Sequence, residues 1–260
     1  MRKIEDAIKE GKTEITISLD LSKTQTPVRL TEEGIRIDEK EVKVKKVKEH
    51  DKSCYIVEGE EWIKVQFQGE DTHIIYKLIP TSGKPILQCS GTSMHKKEFV
   101  ERIEKERLRG NILDAGTGLG YTAIVAAQTA DHVMTVEQDH NVLEIAKLNP
   151  YSQELFTNEK IIIKESDITT EIKKIPDNTF KAIIFDAGTP RSSGNFFSLE
   201  NYQQAYRVLK ERGRLFHYVP NYHSMRGRDF ASEVMNRLKK AGFRFIDKNQ
   251  ERSYIMVKKS

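Results

Sequence analysis

The stretch NILDAGTGLGYTA, from Asn111 to Ala123, sets an aspartate and three glycines at alternate positions: Asp114, Gly116, Gly118 and Gly120. Glycine adopts left-handed backbone conformations and lets a ligand approach main-chain N–H groups closely. A glycine loop between a strand and a helix therefore suits a bound anion or a cofactor. The spacing narrows the choice. A dinucleotide loop needs G-x-G-x-x-G, and a P-loop ends in Gly-Lys-Ser/Thr. Here the pattern is G-x-G-x-G and no such lysine follows. An aspartate just ahead of the first glycine opposes a pyrophosphate and attracts an amine, which favours a cofactor with a cationic amino-acid moiety, S-adenosylmethionine, over NAD.

Further acidic residues fall at the ends of the strands that follow. Glu137 closes VMTVEQD, 17 residues after Gly120, where a carboxylate can accept hydrogen bonds from both ribose hydroxyls of an adenosine. Ser166 and Asp167, in ESDITT, stand where an adenine amino group would lie, and Asp186 closes IIFDAGTPR. One acid at a strand end is a common accident; four in succession behind this loop are a pattern. The expected cofactor set is Asp114, Gly116, Thr117, Gly118, Gly120, Tyr121, Glu137, Gln138, Ser166, Asp167 and Asp186.

If a cofactor of that kind passed on its sulfonium methyl, as the resemblance given below implies, the step would be an in-line displacement that mainly requires alignment and exclusion of water. Asp186 and Arg191 are the expected catalytic residues: a carboxylate to orient an acceptor N–H, and a guanidinium to hold a phosphate or read guanine O6 and N7. The plain alternatives are a turn cap for Asp186 and a surface ion pair for Arg191. His217 and Tyr218 close a strand, and Tyr222 and His223 follow it. Aromatic groups at such an edge can stack on a flipped base. Strand alternation lets only one of His217 and Tyr218 face the site, with the other in the core. Arg226 and Arg228, in SMRGRDF, are candidate phosphate contacts. Met94 and His95 could lid the cofactor, and Lys43, Lys45, Lys46 and Lys48 could touch RNA or simply protect an edge strand.

These residues need a parallel sheet to hold them. From Asn111 onward, strands (NILDA, HVMTVE, IIIKES, KAIIFDAG, GRLFHYV) alternate with helices (YTAIVAAQTA, HNVLEIAKLN, LENYQQAYRVLKE, RDFASEVMNRLKKAG). That alternation predicts an α/β, Rossmann-like sheet, and FRFIDK with SYIMVKK predicts an antiparallel hairpin at its end. Residues 14–90 read as short strands between Gly, Pro, Asp and Ser turns, a small β-rich unit. The expected division is a β-rich domain over 1–94, a linker helix over 95–110 and the catalytic domain over 111–260.

Composition narrows the class further. The chain has 260 residues, 37% apolar and 32% charged, and no run near the roughly 18 apolar residues of a membrane span. The start, MRKIEDAIKEGK, lacks the apolar core of a secretory signal, and Cys54 and Cys89 have no metal or redox spacing. A cytoplasmic protein without membrane or metal is expected. The charge is divided. Residues 111–188 carry 12 Asp and Glu against 6 Lys and Arg, whereas residues 189–260 carry 15 Lys and Arg against 6 acids. An acidic cofactor region beside a basic region suits an anionic substrate; a basic surface helix around Arg237 to Lys240 is the bland alternative.

LDAGTGLGYTA, TVEQD, ESD and FDAGTPR, with the final hairpin, resemble the class I S-adenosylmethionine-dependent methyltransferases over about residues 108–258. SGTSMHK, TGLGYTA, VEQDHNVLEIAKLNP and YRVLKERGRLFHYVPNYHSMRGRDF are similar to the predicted archaeal methyltransferases related in fold to spermidine synthase. That resemblance implies a β-rich N-terminal domain and, through members similar to enzymes of guanine N7 methylation in tRNA, an RNA partner. The fourth motif of that family typically reads Asp-Pro-Pro-Arg. Here Asp186 is followed by Ala187, Gly188, Thr189, Pro190 and Arg191, without the double proline. A protein-modifying methyltransferase and a spermidine-synthase-like aminopropyltransferase are the alternatives. The latter family shows a Gly-Gly-Gly-Asp-Gly type loop and a paired-acid motif, neither of which stands here.

Overall fold

Four of the five residues of Asn111–Ala115 are buried, as befits a strand covered on both faces. In the computed structural model, which describes residues 1–48, 51, 53–94, 97–186, 194–219, 229–247 and 254–260, this strand lies inside a seven-stranded sheet. The chain forms two compact units. One comprises Met1–Met94 with Glu144–Gln153, and the other His95–Leu143 with Glu154–Ser260.

The first unit opens with helix α1 (Arg2–Lys9) and continues through ten short strands. Strands β1 (Glu14–Ile17), β2 (Thr26–Leu30), β3 (Gly34–Ile37) and β4 (Lys40–Lys43) form an antiparallel meander. Strands β5 (Tyr55–Glu58) and β6 (Glu61–Lys64) form a hairpin. Strands β7 (Gln66–Gln68), β8 (Ile75–Ile79), β9 (Ile86–Cys89) and β10 (Thr92–Ser93) form a second antiparallel sheet. The meander strands each turn one apolar side chain inward (Ile17, Val28, Ile35 and Val42), which meet Trp62 of β6 and Ile4 of α1. The sequence reading left α1 out. Its apolar side chains, Ile4, Ala7 and Ile8, are few among charged ones, and only packing on a sheet makes such a short segment helical. Glu144–Gln153 joins this unit, where Lys23 donates to the Pro150 carbonyl at 2.7 Å.

From α2 (Lys97–Glu106) the chain alternates: β11 (Asn111–Ala115), α3 (Tyr121–Ala127), β12 (His132–Glu137), α4 (His140–Lys147), α5 (Gln153–Thr157), β13 (Ile161–Glu165), α6 (Ile168–Lys174) and β14 (Phe180–Phe185), all in the second unit except Glu144–Lys147 of α4 and Gln153 of α5. It ends with α7 (Leu199–Val208), β15 (Leu209–Tyr218), α8 (Phe230–Lys240), β16 (Arg244–Asp247) and β17 (Tyr254–Lys258). The strand order is β13-β12-β11-β14-β15-β17-β16. The first five run parallel, and β17 is antiparallel to both its neighbours, so the expected α/β sheet with a terminal hairpin is what forms. The chain crosses to the other side of β11 between β13 and β14. Ligands of open α/β sheets bind at such a reversal, beyond the carboxyl ends of the strands.

Two element boundaries differ from the sequence reading. The helix expected to run to Glu211 stops at Val208, because Leu209 pairs with Phe180 and the strand then bulges through Arg212, at φ 59°. Helix α6 was not anticipated; its ITTEIKK pattern is short, but Asp167 caps it and Ile168 and Ile172 are buried. Helix α2 packs with this unit, its Phe99 and Ile103 buried and Glu106 bonded to Arg214 at 2.6 Å. No helix among the described residues is long and apolar enough to cross a membrane.

Near the chain end, Lys259 is 7% exposed, and its ammonium donates to the Leu209 carbonyl at 2.8 Å and to Asn178 Oδ1 at 2.9 Å. It thereby gives a buried backbone carbonyl near the bulge of β15 a charged donor. Lys259→Met keeps the aliphatic stem but leaves the buried Leu209 carbonyl without this donor, whereas the exposed Asn178 can turn to water, so urea unfolding should show a loss of about 1–2 kcal/mol. A variant as stable as the parent would remove this account.

Candidate functional site

Sheet register decides which side chains meet. Across the strands, Thr135 of β12, Asp114 of β11 and Ile184 of β14 stand in one row. One residue further on, Val136, Ala115, Phe185 and His217 form the next row. Side chains alternate between faces, so Asp114 lies on the opposite face to Ala115.

Asp114 is fully buried. Its Oδ2 accepts from the Thr135 hydroxyl at 2.7 Å, and that hydroxyl lies 2.6 Å from the hydroxyl of Thr117. Its Oδ1 is buried without a hydrogen-bond partner. Burial pushes the carboxyl up to about 7; the hydroxyls of Thr135 and Thr122 pull the other way, and the charges of Asp186 and Glu137 add to the rise. The expectation that Asp114 itself meets the ligand's amine needs correction in this geometry. The carboxyl is closed over, and it acts by bracing the loop through Thr135 and Thr117 and by its field.

The three glycines divide into two roles. All have positive φ: 92° at Gly116, 53° at Gly118 and 77° at Gly120. Gly116 donates to the Val136 carbonyl at 3.0 Å and Gly118 to Glu137 Oε2 at 3.0 Å, and both are partly open to solvent. Gly120 is buried, and a Cβ there would stand 2.7 Å from Leu155 Cδ2. Its glycine is required by packing as well as by φ. Thr117 and Tyr121 are also buried, so the ligand-facing part of the loop is Gly116 and Gly118.

Glu137 is half-buried at the end of β12. Its Oε2 takes the Gly118 N–H, and its Oε1 takes those of Gln138 at 3.0 Å and Asp139 at 3.1 Å. Burial raises this carboxyl despite these donors. Gln138 is exposed beside it. At the end of β13, Ser166 donates its N–H to the Glu137 carbonyl at 2.8 Å. Asp167 Oδ1 accepts from the N–H and the hydroxyl of Thr169 at 2.7 and 2.9 Å, which caps α6. Asp186 follows β14, half-buried, with its N–H on the Ala115 carbonyl at 2.9 Å. Glu137, Ser166, Asp167 and Asp186 thus gather beyond the carboxyl ends of β12, β13 and β14, around the loop that leaves β11.

The expectation for His217 is corrected. The imidazole is fully buried, 2.8 Å from the Tyr202 hydroxyl and 3.3 Å from the Phe185 carbonyl, so it offers no face to a base. Tyr218, on the other face, is half-buried with its ring 6.0 Å from that of Phe99. Arg191, Arg226, Arg228, Tyr222, His223 and His95 lie outside the described residues. Sequence reasoning passed over Thr135, whose hydroxyl reaches Asp114; its place in HVMTVE carried no signal until the register was known.

The donor set fits S-adenosylmethionine on chemical grounds. Two glycines open the backbone, a carboxylate closes β12, and three acidic groups produce a negative field for a cationic ligand. Residues 95–237 match the family described as the methyltransferase small domain. An uncharacterized protein of Methanocaldococcus jannaschii is 36% identical over 262 residues, covering 92% of this chain and 87% of that one. Among solved structures, a spermidine synthase in complex with the transition-state analogue AdoDATO superposes with a TM-score of 0.62 at 18% identity, over 75% of this chain and 73% of that one. Spermidine synthase of Thermotoga maritima gives 0.57 at 18% identity, over 75% and 72%. At that identity the likeness is one of fold.

The elevated Asp114 carboxyl has a pH signature. It titrates at about 7 when folded and at about 3.9 in an unfolded chain. Between those values the folded protein holds a proton that the unfolded chain releases. Its contribution must therefore lower stability as pH rises from about 4 to 7, by at most about 1.4 kcal/mol per unit, and level off above that. Asp114→Asn has no such proton. Urea unfolding at pH 5 and pH 7.5 should show wild type losing stability relative to Asp114→Asn over that interval; parallel curves would contradict the assignment.

Proposed function

From the chain's place in the methyltransferase small domain family, shown by the match over residues 95–237, we propose that it methylates RNA, with a tRNA guanine as acceptor and N7 the favoured atom. The cofactor of the enzyme is S-adenosylmethionine, which when bound supplies an electrophilic methyl group on a sulfonium. Gly116 and Gly118 would give it main-chain approach, Glu137 would accept from ribose hydroxyls, and Ser166 and Asp167 would meet the adenine; the support is that all five stand at or beyond the carboxyl ends of β11, β12 and β13. Asp186 follows the strand beside β11 and is half-buried, and it is the carboxylate on the acceptor side of this reading. Guanine N7 is already a lone-pair nucleophile and needs no general base; the residues around it have to align it and keep water out.

The observation that carries the RNA reading is the division of charge. The acidic segment 111–188 surrounds the cofactor loop, and the basic segment 189–260 begins immediately after Asp186. Within that segment Arg214, Arg244 and Lys258 lie at the amino ends of the parallel strands, away from Asp186, so the phosphate contacts are assigned to Arg191, Arg226 and Arg228, whose charge would repel a polyamine. The spermidine synthase neighbours favour an aminopropyltransferase by fold, and the charge of residues 189–260 opposes it.

Incubation with labelled S-adenosylmethionine and separate pools of tRNA, rRNA and cell protein tests this directly, and tRNA should be the pool labelled. Labelling of protein alone would replace the RNA reading. Gly118→Val, forced to φ near 53° with a branched side chain, should abolish cofactor binding by calorimetry. Asp186→Ala should lower turnover strongly and leave cofactor affinity nearly unchanged. RNA affinity should fall with salt by a log–log slope of roughly −0.7 to −0.9 per phosphate contact. Replacing Arg226 and Arg228 together should flatten that slope by about one to two units.

A further inference from the structure

An imidazole buried in an apolar core needs both its nitrogens engaged, and His217 has them engaged in a telling direction. The Phe185 carbonyl can only accept, so Nδ1 carries the proton, and Nε2 accepts from the Tyr202 hydroxyl. A chain of donors thus runs from Tyr202 on α7 to His217 on β15 and on to Phe185, the last residue of β14. The next residue is Asp186. Its own N–H is tied to Ala115, which stands beside Phe185 in the sheet and directly before Gly116. The peptide that presents Asp186 is therefore held on its carbonyl side by His217 and on its N–H side by the strand that carries the cofactor loop.

The same imidazole also holds the segment beyond Asp186. The Phe197 ring stacks on it, with centroids 5.5 Å apart at 19°, and Phe196 meets it edge-on at 5.6 Å and 80°. Both belong to the turn Gly194–Phe197. The carbonyls of that turn are fixed as well: Asn201 donates to Phe196 at 2.7 Å, and Arg237 to Phe197 at 3.1 Å. We infer that His217, oriented by Tyr202 and packed between Phe196 and Phe197, is a positioning residue of the methyl-transfer site, acting through the Phe185 carbonyl to fix the peptide that presents Asp186. The inference rests on the reading of Asp186 as the acceptor-side carboxylate. Burial pushes the imidazole down to about 4, so it stays neutral through the working range and holds one tautomer.

Three variants separate this role from simple core packing. Tyr202→Phe removes one hydroxyl and keeps the ring. His217→Asn places an amide N–H where Nδ1 stands and can still donate to the Phe185 carbonyl. His217→Phe fills the volume and donates nothing. Two measurements apply to each, and the first needs no acceptor: hydrogen exchange at the Asp186 amide in the cofactor-bound protein. His217→Phe should accelerate that exchange by about tenfold or more, and His217→Asn should stay within about threefold of wild type. The second is steady-state methyl transfer to the RNA pool that the wild type labels. Tyr202→Phe should lower kcat by about tenfold, with KM for RNA and cofactor affinity within about twofold, since misplacement by a fraction of an ångström costs turnover before it costs binding. His217→Asn should recover most of the kcat lost in His217→Phe.

Loss of thermal stability with unchanged exchange at Asp186 and unchanged kcat would reduce His217 to a core residue and overturn the inference. So would equal effects of His217→Asn and His217→Phe. A wild type that labels no RNA would remove the RNA reading alone, because exchange at Asp186 still decides the role of His217. Should His217→Phe fail to fold, Tyr202→Phe and His217→Asn carry the comparison.

Discussion

A carboxyl group with no access to water stands beneath the cofactor loop, and much of the site follows from it. Burying an ionised aspartate without a partner is costly enough that the group takes up a proton or finds a countercharge. Asp114 takes the Thr135 hydroxyl on Oδ2 and has the Thr122 hydroxyl nearby, its Oδ1 has no hydrogen-bond partner, and two further carboxylates add to its field. Near pH 7 Asp114 is poised between its protonated and ionised forms, and a cation at this sheet edge would favour the ionised one. A sulfonium that also carries an ammonium is such a cation. The carboxylates that raise Asp114 also favour a cationic ligand over an anionic one, which separates this loop from those that bind pyrophosphate.

Register converts this local chemistry into a site. Because β11 lies between β12 and β14 in parallel alignment, Thr135 necessarily stands beside Asp114, and Phe185 beside Ala115. A one-residue slip of β12 would turn Thr135 to the opposite face, leaving both carboxyl oxygens of Asp114 without donors, and would move Glu137 away from Gly118. The apolar residues that alternate with these groups oppose the slip. Leu113, Ala115, Ile183 and Phe185 are fully buried in the core on the face opposite Asp114, and each large apolar side chain so buried contributes about 1.5–3 kcal/mol.

The seven strands of the second unit were legible in sequence because each is an apolar run bounded by turn residues and separated by helical periodicity. The glycine loop and the acids at the strand ends were legible for a related reason: glycine at alternate positions and carboxylates after apolar strands are local signals. What escaped was non-local. Helix α1 has too few apolar residues to announce itself, and α6 depends on a cap and two buried isoleucines. No periodicity tells whether a histidine closing a strand faces a ligand or a core. His217 is settled by Tyr202 and Phe197, which reach it from a helix and a turn. The closure of Asp114 was likewise invisible, since exposure is a property of neighbours and not of motif.

The proposed acceptor can be argued one step further from the sign of the charge at Asp186. Guanine presents acceptors at O6 and N7 on its major-groove edge and a donor at N2 on its minor-groove side. A carboxylate accepts hydrogen bonds and never donates them when ionised. Asp186 therefore cannot hold the edge that carries N7, which it would repel. It can hold a base by its N–H donors and leave the opposite edge free. For guanine, that orientation turns the N7 lone pair away from the carboxylate and leaves it open to a methyl donor, which Gly116 and Gly118 would help to hold. Adenine, with its N6 donor on the same edge as N7, would be drawn the other way round, its N7 beside the carboxylate. On the proposed reading, the carboxylate at the end of β14 thus serves as a choice between purines as well as a tether, and the phosphates of the same nucleotide have to be carried by the basic residues beyond it, since the acidic edge itself rejects them.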